Sequence, residues 1–275
     1  MRKFKLSKGV RYFFAIFLAL IYIYPIYFTI ISSLKDNNSI WNTMFALPSS
    51  PEWSNYASAI QDVGILKASL NSFVFALSAS LVMVVLVTMA SYVIARRITP
   101  GTVPLKLYYL MGLMVPPYAM LVPIVTMFTN YGLRGHYWSM ILLYAAINFP
   151  MSFYLITSYI SGISKELDEA ATLDGCSTFG TVFKIIFPVA KPGIFTAAIL
   201  TFLNVYNEFV FANSLLTKQS MKTIAVRLMG LSGERFTSYG PMFASIVMSI
   251  IPILIVYLIF QEKIESGMAD GAVKG

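Results

Sequence analysis

Six stretches of this chain, 12–34, 68–95, 107–133, 137–164, 193–217 and 236–261, are uncharged apart from a single carboxylate, Glu208. Each exceeds the roughly 20 residues that a helix rising 1.5 Å per residue needs to cross a hydrocarbon core. An unpaired backbone amide costs several kcal/mol in that medium, so a spanning segment must be a helix or part of a closed barrel. The runs are too long and too continuous for alternating barrel strands of about ten residues. The chain therefore reads as an all-α integral membrane protein with six transmembrane helices, one domain over residues 1–275, with the fourth helix ending near Ser161.

Composition agrees. Only 12% of residues are charged, about half the share in soluble domains. One cysteine, Cys176, excludes an internal disulfide framework, and one histidine, His136, excludes the usual zinc sets. The net charge of +8 points to basic cytoplasmic loops rather than to nucleic acid. The first run follows a basic start but is longer than a signal-peptide core, which predicts a retained anchor. With both termini cytoplasmic, 13 of the 20 Lys and Arg fall on the inner side, among them Arg96, Arg97, Lys106, Lys165, Lys184 and Lys191. The outer seven are Lys35, Lys67, Arg134, Lys218, Lys222, Arg227 and Arg235.

In this orientation residues 162–192 form the largest cytoplasmic loop. "SKELDEAATLDG" predicts a short helix capped by Ser164, with Glu166, Asp168 and Glu169 in the early turns where the helix dipole favours anions. Gly175 suits the left-handed position that ends it. A second helix starts at Ser177 or Thr178, carries Phe179, Val182, Phe183 and Ile186 at helical spacing, and is expected to stop at Pro188. On these residues alone the loop is either a docking surface for another protein or a plain helical connector.

The residues decide between the two by resemblance. Glu169, Ala170, Ala171, Asp174, Gly175, Ile186, Pro188, Pro192 and Gly193 resemble, in identity and spacing, the EAA loop of permease subunits of binding-protein-dependent ABC importers. Cys176 departs from the pattern, in which alanine is common. The resemblance implies a type I (MetI-like) permease fold in which this loop is the coupling helix that docks into a cytoplasmic ATPase. The likeness extends along the chain and is closest to the shorter permease of maltose-type sugar importers. "FALPSSPEWSNYASAI", "NSFVFALSASL", "ASYVIARR", "MVPPYAMLVPIVTMFTNYGL", "YNEFVFANSLL" and "GMADGAVKG" carry it. It implies a bacterial plasma-membrane location. It also implies a second permease, two ATPase subunits and an extracellular solute-binding protein as partners, with a sugar or oligosaccharide as cargo. No Gly-Lys pair occurs in the chain, so it lacks a phosphate-binding loop of its own. No catalytic or metal set is assigned, and ATP and magnesium are expected on the ATPase subunits.

Inside the membrane, Thr201, Asn204 and Glu208 are expected on one face of the fifth helix, with Tyr206 and Asn207 beside it. A carboxylate near a helix centre costs roughly 2.5–3.5 kcal/mol, so it should face a bundle interior or a wet cavity. Asn204, Tyr206, Asn207, Glu208 and Asn148 are thus candidates for the translocation path, or else for interhelix hydrogen bonds that order the bundle. Pro116, Pro117 and Pro123 should interrupt the third helix, as rocking points or as static kinks. The outer segments 35–67, with Trp41, Trp53 and Tyr56, and 218–236 are interfacial anchors, or binding-protein contacts if the resemblance holds. The tail from Glu265 should fray, and the resemblance places it toward the ATPase pair. The alternative function is a secondary transporter driven by an ion gradient through Glu208; that predicts internal repeats and a relay of ionisable groups, and neither is evident.

Overall fold

A computed structural model describes residues 8–96, 98–231 and 238–272, with side chains as far as Gln261 and excepting Arg11. Most of the amino-terminal basic cluster, Arg97, Arg235 and the last three residues lie outside the described residues. Every regular element among those described is helical. The chain begins with α1 (Lys8–Ser32), the short α2 (Asn37–Asn42) and α3 (Ser54–Gln61), and the long α4 (Ile65–Arg96). Then come α5 (Thr102–Met111), α6 (Leu121–Asn130), α7 (Tyr137–Ser161) and α8 (Glu166–Leu173). One turn, α9 (Thr178–Gly180), leads through a π-helical stretch, Thr181–Ile186, into α10 (Phe187–Tyr206). The chain closes with α11 (Val210–Leu215), α12 (Ile224–Gly230) and α13 (Tyr239–Ala272), whose helical backbone continues well into the tail expected to fray.

Five helical segments are long and apolar enough to cross a membrane. A sixth exists if Thr102–Met114 and Pro117–Asn130, bent by 89° to one another, count as one broken span. The break has a local cause. A residue before proline is pushed out of the helical region, and here two prolines follow in succession. Val115 is extended at φ −86°, ψ 115°, and Pro116 at φ −66°, ψ 120°. Pro123 does no such damage, because it falls in the first turn of α6, where its missing N–H has no intrahelical role.

The fifth span departs most from expectation. It starts at Thr178 rather than Gly193 and ends at Tyr206 rather than Thr217. Pro188 does not stop it. The wider π turn before the proline lets the Phe187 N–H bond the Val182 carbonyl, five residues back, the kind of adjustment by which membrane helices carry proline.

The chain divides into two compact units, Met1–Leu66 with Arg227–Pro252, and Lys67–Val226 with Ile253–Gly275. In the first, α1 turns apolar side chains outward along its length, from Tyr12 and Phe13 to Ile26 and Ile30. Just past its end the chain is pinned: Asn55 Nδ2 donates to the carbonyls of Ser33 and Lys35 at 3.1 and 2.9 Å. Lys35, assigned to an outer loop, is buried with its Nζ 2.6 Å from the Thr43 carbonyl, and burial lowers its pKa. Asp36 caps α2, and hydrogen bonds from the Ser39 hydroxyl and amide, then the Asn38 amide, hold its carboxyl below the usual range.

In the second unit α4, α7, the π-helical stretch and α10 share a core of Met83, Val87, Phe153, Ile156, Ile160, Val182, Ile186, Ala190 and Ile194. In a bilayer such contacts gain little from water exclusion and depend on close packing. Gly193 allows it here: a Cβ at that position would lie 2.6 Å from the Tyr159 ring.

Candidate functional site

The loop after α7 is a corner closed by local hydrogen bonds. The cap position of α8 falls on Lys165, which makes no side-chain cap, rather than on Ser164. The Ser164 hydroxyl, one residue earlier, accepts from the Glu166 amide at 3.2 Å, and Glu166, Asp168 and Glu169 occupy the first turn. At the far end Gly175 adopts φ 76°. There the amides of Asp174, Gly175 and Cys176 donate back to the carbonyls of Ala170, Thr172 and Ala171 at 3.0, 3.1 and 2.9 Å. Those bonds satisfy carbonyls that a helix end would otherwise leave unpaired. Ser177 then caps the next helix by accepting from the Gly180 amide at 3.2 Å.

This corner has an inner and an outer side. Ala171, Val182 and Ile186 are buried, so the loop is seated on the helices behind it. Glu169, Ala170, Asp174, Gly175 and Pro188 are exposed. Leu173 is 89% and Phe179 62% exposed, two apolar side chains on the outer surface. A Cβ at Gly175 would meet nothing within 4 Å.

One feature of the corner has no local signal in the sequence. Arg96, the last residue of α4, forms an ion pair of 2.8 Å with Asp168 of α8. Its guanidinium also donates to the carbonyls of Ile160, Ile163 and Ser164, at 3.3, 3.0 and 3.4 Å, where α7 ends. Tyr92, one turn back on α4, donates to the other Asp168 oxygen at 2.7 Å. In the sequence, Asp168 lies 72 positions from Arg96 and looks like one more acid in a helix's first turn.

A second locus lies between the broken third span, α7 and the end of α10. It is a cavity of about 330 Å³ lined by Tyr118, Tyr144, Asn148, Asn204 and Glu208, with apolar walls from Val115, Pro117, Met151 and Phe211. Asn204 Nδ2 reaches Asn148 Oδ1 at 3.3 Å, and Asn148 Nδ2 donates to the Tyr144 carbonyl at 2.9 Å. Thr201 faces Ser152 at 3.2 Å. Glu208 is not in a helix. It sits in the break after α10, where its carboxylate accepts from the amides of Phe211 and Ala212 at 2.8 and 3.0 Å and from the Tyr144 hydroxyl at 2.8 Å. The carboxylate caps α11, which removes the strain of placing a charge in mid-helix.

The candidate path residues thus divide. Asn148, Asn204 and Glu208 line this cavity. Tyr206 is buried and stacks on Phe202, with centroids 6.0 Å apart. Asn207 is exposed and donates to the Leu203 carbonyl at 2.9 Å. Neither lines the cavity. Tyr118 and Tyr144, its aromatic walls, do not stand out in the sequence; no periodicity marks them, because they come from a broken span and a separate helix, α7.

Comparison with known proteins gives a consistent picture. Residues 100–270 match the family described as binding-protein-dependent transport system inner membrane component. The chain is 36% identical to the probable ABC transporter permease protein YurM of Bacillus subtilis, over 94% of this chain and 87% of that one. It is 37% identical to the multiple sugar-binding transport system permease protein MsmG of Streptococcus mutans, over 91% of each chain. Identity to the trehalose/maltose transport system permease protein MalG of Thermococcus litoralis is 30% over the whole of both chains. The fold resembles that of a bacterial ABC transporter involved in the import of the acidic polysaccharide alginate. That likeness has a TM-score of 0.82 at 22% identity and covers 94% of this chain and 98% of the other.

Proposed function

We propose, for a chain that belongs to the binding-protein-dependent transport system inner membrane component family, that it is the membrane-spanning permease subunit of an ATP-driven sugar importer. The observation that carries this reading is the corner at α8: an exposed Ala170–Gly175 surface whose back is fixed to the transmembrane core through Ala171, Val182 and Ile186. A surface so mounted delivers a push from a partner to the helices rather than dissipating it in a flexible loop.

In this reading Glu169, Ala170, Asp174 and Gly175 form the seat of an ATPase subunit. Ala171, expected in that seat, is buried beneath it and with Ile186 anchors the corner from behind, and Pro188 lies in the first turn of α10, which leaves it. ATP and magnesium belong to two such ATPase subunits. A second permease completes the pore, and an external binding protein delivers the cargo. Both termini and the α8 corner lie in the cytoplasm. Asn148, Asn204 and the Tyr118 and Tyr144 rings offer the amide and aromatic groups that suit sugar hydroxyls and ring faces. The sugar-permease names among the relatives support a carbohydrate cargo. A gradient-driven carrier working through Glu208 has little to recommend it, since both carboxylate oxygens are engaged in capping α11 and binding Tyr144.

The test is co-purification of the ATPase encoded for the same transporter, with Gly175→Val as the probe. Valine is strained at φ 76°, but its Cβ would meet nothing within 4 Å and the position is exposed, so helix insertion and the yield of membrane protein should be unaltered. ATPase retention, or ATP-dependent uptake where retention persists, should fall at least about tenfold, the equivalent of 1.4 kcal/mol of lost docking energy. Full uptake by Gly175→Val would remove the docking role from this corner.

A further inference from the structure

We infer that Arg96 is a positioning residue that clamps α8 to the cytoplasmic end of α4, so that a displacement of the docking corner is carried into α4 directly and not only along the covalent path into α10. The inference rests on the reading of α8 as the ATPase seat.

The geometry is that of a clamp and not of a chance surface pair. The Arg96 side chain is 6% exposed and that of Asp168 is 18% exposed. One guanidinium bridges three helices: it belongs to α4, takes the carbonyls of Ile160, Ile163 and Ser164 at the end of α7, and pairs with Asp168 in the first turn of α8. The electrostatics favour each contact. Carbonyls at and just past a helix end carry partial negative charge, so a cation is favoured there; a carboxylate is favoured at the opposite, amino-terminal end of α8. Only a planar, multi-donor side chain serves both at once, which lysine cannot do. Tyr92 takes the second carboxylate oxygen at 2.7 Å, so Asp168 is held from two successive turns of α4 and cannot pivot about a single contact.

The consequence is mechanical. Val182 and Ile186 join the corner to α10 by packing, and packed surfaces slide by 1–2 Å at modest cost. The Arg96 ion pair on one carboxylate oxygen and the Tyr92 hydrogen bond on the other tie Asp168 to α4 at two points, and such a pairing resists sliding more than apolar packing does. The corner and the end of α4 therefore move as one body. Because α4 also supplies Met83 and Leu86 to the wall of a separate apolar cavity beside Tyr109 and Phe149, its displacement reaches mid-membrane packing at the bend of the third span.

The experiment uses the intact transporter, with both permeases and both ATPases, in lipid nanodiscs. Spin labels go on Ile98→Cys, just past the end of α4, and Glu166→Cys, in the first turn of α8 and outside the docking surface, with Cys176→Ser to remove the native thiol. The label-to-label distance is measured without nucleotide and after trapping with ATP and vanadate. With the clamp intact, that distance should agree between the two states within about 2 Å. Asp168→Asn should match it without nucleotide but separate on trapping by more than about 2 Å, while still co-purifying with the ATPase, because Asp168 faces α4 and not the outer surface. Asp168→Glu, which keeps the charge, should restore joint movement. If Asp168→Asn does not accumulate, Tyr92→Phe makes the same comparison with a smaller separation. A distance that changes in the intact protein, or one that stays fixed on trapping in Asp168→Asn, overturns the clamp. Failure of the unmodified chain to hold the ATPase at all would instead overturn the docking reading.

Discussion

The chain treats proline in two opposite ways. At Pro116 and Pro117 the third span breaks and turns by 89°; at Pro188 and Pro192 one helical path continues from Thr178 to Tyr206. The difference is in what precedes the ring. Two adjacent prolines leave Val115 and Pro116 both extended, and a helix cannot survive two successive extended residues. Phe187, before Pro188, keeps φ −58° and ψ −47° because its amide has shifted to the carbonyl of Val182. A broken span makes room for a cavity. A continuous one makes a lever: α10 runs from the docking corner to the edge of that cavity at Asn204.

The largest expected effect bears on the lever. A valine at Gly193 would place its Cβ 2.6 to 2.9 Å from three atoms of Tyr159, and both helices are too well packed to part locally. Overpacking of that kind costs about 3 kcal/mol. Gly193→Val should therefore lower the thermal midpoint of the purified permease pair further than Glu208→Ala or Pro188→Ala does. A midpoint within a degree of the unmodified protein would show that α7 and α10 are looser than the packing implies, and the lever with them.

The next effect bears on the cavity side. Glu208→Ala removes the α11 cap and leaves the Tyr144 hydroxyl, buried with its ring, without its partner. Loss of a cap and stranding of a buried donor together cost about 2 kcal/mol. Glu208→Gln keeps one acceptor oxygen and should lose about half as much. Amide hydrogen exchange at Phe211 and Ala212 is the direct measure. Equal exchange in Glu208→Ala and the unmodified chain would remove Glu208 from the capping role and leave its carboxylate free to meet cargo.

These two regions also show what a sequence yields. Five of the six expected spans were legible, and the sixth as a broken pair, because apolar length is a property of each segment alone; the corner was legible because its acids, Ser177 and Gly175 act within a few residues. What was illegible depended on partners far along the chain. Glu208 looks like a mid-helix charge until Tyr144 is beside it. Lys35 looks like a loop cation until it is buried on the Thr43 carbonyl. Asp168 looks like a dipole-stabilising acid until Arg96 and Tyr92 meet it. The expected bounds of the fifth span failed for a related reason at both ends, since neither the π turn before Pro188 nor the cap after Tyr206 has a periodic signature.

The smallest expected effect tests the comparison most directly. If the π turn already satisfies the backbone around Pro188, the ring contributes little, and Pro188→Ala should leave the helix path unchanged. Alanine restores an amide that can bond the Lys184 carbonyl, and it relieves the restriction that a following proline places on Phe187. Against that, it gives the unfolded chain more freedom. The two nearly cancel, so the thermal midpoint should shift by no more than the equivalent of about 0.5 kcal/mol, and ATPase retention should be unchanged. A loss above about 1 kcal/mol would mean that the fixed φ of Pro188 is what sets the π turn rather than what the turn accommodates. The same loss accompanied by release of the ATPase would show that this ring also sets the angle of the docking corner, and that the two treatments of proline differ in degree and not in kind.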